Sequence, residues 1–290
     1  MANIPVKVFE VLRDLFFDTN GNPKFFSLRE KRNTQDDPFD EMIAHELSSR
    51  LRLSGLVCQK APGPLISPDI AIFDSSVNLD STDAENNPEK LIGIEVKKLE
   101  RSSNGAIARS TGLDYNSTPP CGRIRLYSPT NKELVAKGYY LFACLEQRGD
   151  QFFVSAMCLC DGSIINDDFD FYQEITGSRE KGINLGTYGD GANRNRPMLI
   201  FSNPLGASFL DKKISLISGL DLSETRGNIG LAWRLHRKDT HGIDHVFYCY
   251  LDKRDISQDS NAQDQYEPFP VPQRRSTETQ GRGKFKLGSN

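Results

Sequence analysis

Leu91-Ile92-Gly93-Ile94-Glu95-Val96-Lys97-Lys98 reads as a β-strand that carries charge where a buried strand normally carries hydrophobes. Successive side chains of a strand point to opposite faces, so Ile92, Ile94 and Val96 share one face while Glu95 and Lys97 project together from the other. A second run, Ser67-Pro68-Asp69-Ile70-Ala71-Ile72-Phe73, has the same character: Asp69 opens it, and Ile70 and Ile72 supply its opposite face. Pairing the two strands brings Asp69, Glu95 and Lys97 to one point. Two carboxylates suit Mg2+, a hard cation that keeps several waters. An ammonium beside them can orient or deprotonate one of those waters. Read singly, Pro68-Asp69 is also a turn and Glu95 with Lys97 an exposed strand face. Together they favour a site, because the apolar face implies burial and a buried acid needs a partner or a metal.

The elements around these strands extend the pattern. Pro38-Phe39-Asp40-Glu41-Met42-Ile43-Ala44-His45-Glu46-Leu47-Ser48-Ser49-Arg50-Leu51 has apolar residues at 39, 43, 47 and 51, four apart along one helical face. The order is a helix carrying a glutamate, a strand, the Pro-Asp strand and the Glu-x-Lys strand. This resembles the PD-(D/E)XK nuclease superfamily over roughly residues 36 to 145, and within it the type II restriction endonucleases most. The resemblance implies an α/β fold with a restriction-endonuclease-like core: a central mixed β-sheet flanked by helices, with long recognition insertions. It implies that Asp69 and Glu95, with the carbonyl of Val96, hold Mg2+ while Lys97 positions the attacking water. It also implies a helix acid near the metal. Glu41 is the natural candidate and Glu46 the alternative.

Bulk properties permit this and narrow the rest. A chain of 290 residues can bury a substantial core. No apolar run approaches the roughly 18 residues of a membrane span. The amino terminus has neither a basic start nor a long apolar stretch, so it does not read as a secretory signal. The six cysteines are dispersed and read as free, mostly buried thiols. The expected compartment is the cytoplasm of a bacterium or archaeon. A net charge of −3 argues against coating nucleic acid through the overall field, but not against binding it in a cleft.

The expected organisation is one nuclease domain over residues 1–267, followed by a basic, mobile tail over 268–290. An amphipathic helix is expected over 5–17, with later strands at 138–145, 152–160, 198–201, 231–235 and 245–251. Asp74 to Glu89 reads as a surface loop between the two charged strands. Two polar segments, about 101–131 and 161–197, are expected to carry sequence-reading groups, as insertions do in the family resembled. Arginine suits guanine edges and asparagine suits adenine. The candidates are Arg101, Asn104, Arg109, Asn116, Arg123, Arg125, Arg194 and Arg196. Arg123 and Arg125 alternate on one strand face, and a salt-bridged strand is the plainer reading of that pair.

Other chemistries lack their signatures. No phosphate-binding Gly-x-x-x-x-Gly-Lys-[Ser/Thr] and no Gly-x-Ser-x-Gly occurs. Cys158-x-Cys160 lacks a second pair, and His241, His245 and Cys249 fall along a strand over too long a span to share one zinc. The expectation is a Mg2+-dependent, sequence-specific endonuclease for double-stranded DNA in a restriction-modification system, leaving 5′-phosphate and 3′-hydroxyl ends. Its expected partners are DNA, a second copy in a homodimer, and a cognate DNA methyltransferase; a membrane is not expected. A structure-selective repair or recombination nuclease and a non-catalytic DNA-binding protein remain as alternatives.

Overall fold

Two helices form where the sequence supplies caps. Helix α1 (Ile4–Phe16) begins at Asn3, whose side chain accepts the Val6 N–H at 3.2 Å, and carries proline in its first turn. Helix α2 (Pro38–Leu51) begins at Asp37, whose carboxylate accepts from the N–H groups of Phe39 and Asp40. Both match the helices expected from sequence. A 3-10 turn follows α2, and Gly55 closes it at φ 73°, a left-handed conformation that glycine adopts without strain. The computed structural model describes residues 3–33, 36–63, 68–101, 103, 105, 107–108, 115–117, 122–166, 199–201, 204–222, 228–238, 242–256, 262–266 and 273–274.

The described strands are β1 (Leu56–Lys60), β2 (Ile70–Asp74), β3 (Leu91–Arg101), β4 (Ile107–Ala108), β5 (Tyr115–Ser117), β6 (Arg123–Tyr127), β7 (Glu133–Arg148), β8 (Gln151–Asp161), β9 (Leu199–Phe201), β10 (Ile214–Ser218), β11 (Ile229–Lys238), β12 (Asp244–Asp252), β13 (Gln263–Tyr266) and β14 (Gln273–Arg274). The main sheet runs β1-β2-β3-β7-β8-β10-β12-β11-β13, with β4 added to β3 and β6 to β7; β14, β9 and β5 pair separately. It is mixed: β3–β7, β8–β10 and β11–β13 are parallel, and the other pairs along this order are antiparallel. The fold is therefore α/β with a large central mixed sheet and few helices.

The longer helices cover one face of the sheet. Phe9, Leu12 and Phe16 of α1 and Phe39, Ile43 and Leu47 of α2 join Ile70, Ile72, Ile92, Ile94, Val96 and Leu141 in one buried cluster. The opposite face buries Leu99, Tyr140, Phe142, Cys158, Cys160 and Cys249 against short helical turns around Ile164, Leu205 and Leu210. Helix α3 (Asp83–Asn86) lies in the segment read as a surface loop. That segment in fact contributes Val77 and Ala84 to a third cluster with Leu91, Leu134 and Ala136. Strand β10, which the sequence reading did not name, is buried throughout between β8 and β12. No helix among the described residues is long and apolar enough to cross a membrane. Cys58, Cys144, Cys158, Cys160 and Cys249 are free, and all but Cys58 are buried.

The far edge of the sheet holds a charged clasp. His236 Nδ1 lies 3.1 Å from Asp244 Oδ2 on β12, and its Nε2 lies 3.1 Å from Asp264 Oδ1 on β13. Tyr266 stacks on the ring at 4.6 Å, and Arg234 is 3.5 Å from Asp264. Two carboxylates can each accept an N–H only from the imidazolium, so Asp264 first and Asp244 second raise the His236 pKa. A raised pKa in the folded state means stabilisation that is complete below the ordinary value of 6.5 and lost as pH climbs above it. Protection of the Gln263–Tyr266 amides, as the ratio of intrinsic to observed exchange rate, is expected to be higher at about pH 6 than at about pH 9. His236→Gln should abolish the difference; equal protection of these amides in the wild type at both pH values would remove the clasp.

Candidate active site

The antiparallel pairing of Ile70 with Ile94 carries Asp69, in the bend before β2, to the level of Glu95. Asp69 Oδ2 accepts the Val96 N–H at 2.7 Å, and the Asp69 carbonyl accepts the Ala61 N–H at 2.9 Å. The residue is thus tied to β3 by its side chain and to the end of β1 by its backbone. Glu95 and Lys97 share one face of β3, beside Tyr140 and Phe142 of β7. Lys97 Nζ donates to Glu95 Oε2 at 2.8 Å and lies 5.6 Å from the Tyr140 ring centre. The Glu95 and Lys97 side chains are only 9% and 15% exposed. The three residues expected from sequence therefore meet.

Helix α2 adds a fourth group, and it is Asp40. Its carboxyl is pushed up to about 8, first by burial, then by the negative charge of Asp69 and Glu95 against Lys97 and Lys60. Asp40 Oδ1 is buried and accepts no hydrogen bond among the described residues. The Asp69 carboxyl is also held above the ordinary range, first by burial and next by Glu95, with Lys97, the Val96 N–H and Lys60 opposing. Asp40, Asp69 and Glu95 thus act on one another and on the ammoniums of Lys97 and Lys60.

Glu41 sits elsewhere. It is bound by Arg29, which also holds Asp36, and the guanidinium keeps the Glu41 carboxyl below its usual range. Glu46 pairs with Arg50 one turn along α2, at 2.9 Å. The difference follows from helical geometry. Asp40 lies three, four, seven and eleven residues before the buried Ile43, Ala44, Leu47 and Leu51, on the stripe that faces the sheet. Glu41 shares its face with the exposed His45 and Ser48. Lys98 leaves β3 on the opposite side from Lys97 and ion-pairs with Asp37, fastening the start of α2 to the strand.

The expected DNA-reading residues fare unevenly. Arg101 is turned inward, donating to Glu146 at 3.2 Å and Asp211 at 2.8 Å, where it clamps β3 to β7 and the 208–210 turn. Arg125 pairs with Glu133 across β6 and β7 at 3.2 Å, the salt-bridged arrangement. Arg123 is exposed on β6. Asn116 lies in β5, with only its backbone described. Asn104, Arg109, Arg194 and Arg196 lie outside the described residues, as do Ser67, most of 161–197 and, except for Gln273 and Arg274, the tail from 268.

The donor set suits a hard cation. No three His, Cys, Asp or Glu side chains among the described residues form a ready-made metal cage. Mg2+ does not require one, because it keeps most of its waters and takes one or two carboxylates. Asp69, Glu95 and the Val96 carbonyl are such a set, with Asp40 behind them. The buried, unpartnered Asp40 Oδ1 favours a cation too: an acceptor left without a donor costs about 1–3 kcal/mol. No family model, curated protein or solved structure matches the chain.

Proposed function

We propose that this protein is a Mg2+-dependent DNA endonuclease of the restriction type, with a restriction-endonuclease-like core and the site centred on Asp69, Glu95 and Lys97. The observation that carries the reading is that Asp69, bonded to the Val96 N–H at 2.7 Å, lies within electrostatic reach of Glu95 and Lys97, which hold each other at 2.8 Å. A solvated strand face has no reason to bury Glu95 and to half-bury Asp69 beside it.

In this reading Asp69 and Glu95 would hold the ion together with the Val96 carbonyl, and Asp40 would add negative charge to the site once the cation displaces its proton. Bound Mg2+ supplies charge neutralisation at the scissile phosphate and a lowered pKa for a water molecule. Lys97, whose Nζ now rests on Glu95, turns to orient the attacking water by hydrogen bonding. The water oxygen would bond to phosphorus as it gives up a proton to solvent, the bond to the 3′-oxygen would break, and that oxygen would take up a proton from solvent. The ends are 5′-phosphate and 3′-hydroxyl. Arg123, exposed on β6, contacts the DNA backbone or bases in this reading. A homodimer would match a two-fold symmetric DNA site. A cognate methyltransferase would protect the host genome.

The test is incubation of the full chain with a mapped phage genome in Mg2+ or in EDTA, followed by sequencing of the ends. Discrete bands at a recurring sequence, in Mg2+ alone, are expected. Cleavage confined to branched or flapped DNA would replace this reading with a structure-selective nuclease. Intact DNA in Mg2+ and Mn2+, with no calorimetric binding of either ion, would end it.

A further inference from the structure

Glycine in the interior of a strand weakens it, and it often marks a place where something else approaches the backbone closely. Gly93 is such a residue. It interrupts the buried apolar run of β3 on the same face as Glu95 and Lys97. A Cβ there would fall 3.0 Å from Pro68 Cγ, 3.0 Å from Ile124 Cδ1 and 3.3 Å from Ile124 Cγ2. The space a side chain would fill is thus occupied from outside the strand, by the proline ring on one side and Ile124 on the other. Both are buried.

Pro68 is bonded directly to Asp69, and its ring fixes φ, so a displaced ring carries the Asp69 backbone with it. Ile124 comes from β6, on the strand face opposite Arg123 and Arg125, and pairs with Ala136 of β7. One side chain therefore joins the strand carrying the arginines to the proline that seats the acid.

We infer that Ile124 is a positioning residue: sharing with the Pro68 ring the space over Gly93, it sets where the Asp69 carboxylate sits. Its effect on cleavage rests on the nuclease reading above; its effect on Asp69 does not. The Val96 amide proton, bonded to Asp69 Oδ2, reports the position of the carboxylate whatever the protein does.

The experiment records that amide in 15N-valine-labelled full chain for the wild type, Ile124→Val, Ile124→Ala and Gly93→Ala, with Asp69→Ala marking the position without the bond. Ile124→Val deletes only the Cδ1 methyl. The expected shift towards the Asp69→Ala position is graded, small for Ile124→Val and larger for Ile124→Ala. Gly93→Ala pushes the same ring from the other side and moves the amide as well. In parallel, kcat for plasmid cleavage falls in the same order, on the order of 10²-fold for Ile124→Ala, as expected of a misplacement near 1 Å; KM is unchanged. An unmoved Val96 amide in folded Ile124→Ala overturns the inference. If that variant does not fold, an unmoved amide in Ile124→Val overturns it instead. A moved amide in a protein whose wild type cuts no DNA sustains the positioning role and removes the nuclease reading.

Discussion

Asp69→Ala and Lys97→Ala are each expected to slow Mg2+-dependent plasmid cleavage on the order of 10²- to 10³-fold, the usual cost of removing a preorganised electrostatic group, while DNA binding survives. The two variants should part company in stability. Ionised Asp69 is disfavoured by burial and by Glu95, so its loss relieves repulsion and offsets the hydrogen bond taken from the Val96 N–H, leaving the metal-free protein little changed. Lys97 holds Glu95 at 2.8 Å, and its loss takes the ammonium away from a carboxylate that is 9% exposed. Breaking a buried pair from one side costs about 3–5 kcal/mol, less where water reaches the site. Lys97→Ala should therefore melt earlier in EDTA and recover part of the loss in Mg2+, because the ion takes over the partnership with Glu95. Full cleavage by either variant would remove these residues from the site. Recovery of Lys97→Ala by Mg2+ without any cleavage by the wild type would leave a structural cation site only.

The elements nearest the site are those the sequence determines locally. The helix over 38–51 follows from Asp37, Pro38 and the four-residue apolar spacing, and the strands follow from alternation around Ile70, Ile72, Ile92 and Ile94. The opposed directions of Lys97 and Lys98 also follow from alternation, one reaching Glu95 and the other Asp37. What escaped was decided by distant partners. Arg101 is taken up by Glu146 and Asp211, which lie 45 and 110 positions away. Glu41 is taken up by Arg29 from the segment before the helix. Neither pairing leaves a periodic trace. The Asp74–Glu89 segment looked like a surface loop because its apolar residues are few. Val77 and Ala84 pin it to Leu91, Leu134 and Ala136, while the rest of its described residues stay at least partly exposed. Asp40 was a different kind of miss. Its place on the buried stripe of α2 was available from the spacing, but a search for a helix glutamate passed it over.

Asp40→Asn is expected to stabilise the metal-free protein at neutral pH while impairing its response to Mg2+. The folded protein holds the Asp40 proton up to about 8, whereas the unfolded chain releases it near the ordinary value of 3.8. Between those values the native state binds more protons than the unfolded state, so stability falls as pH rises. Each unit is worth 1.36 kcal/mol, which bounds the cost at pH 7 near 4 kcal/mol; relaxation of the site brings the expected gain from Asn to about 1–3 kcal/mol. Melting curves in EDTA should coincide for the two proteins at about pH 4 and diverge towards pH 8 as the wild type weakens. Mg2+ should then raise the wild-type melting temperature more than that of Asp40→Asn, because the cation can displace the Asp40 proton and gain a carboxylate that the amide cannot supply. Cleavage should fall with it. Should Asp40→Asn melt earlier than the wild type at pH 7 in EDTA, or gain as much from Mg2+, then Asp40 is not charged towards this corner. The metal would in that case be left to Asp69, Glu95 and the Val96 carbonyl alone.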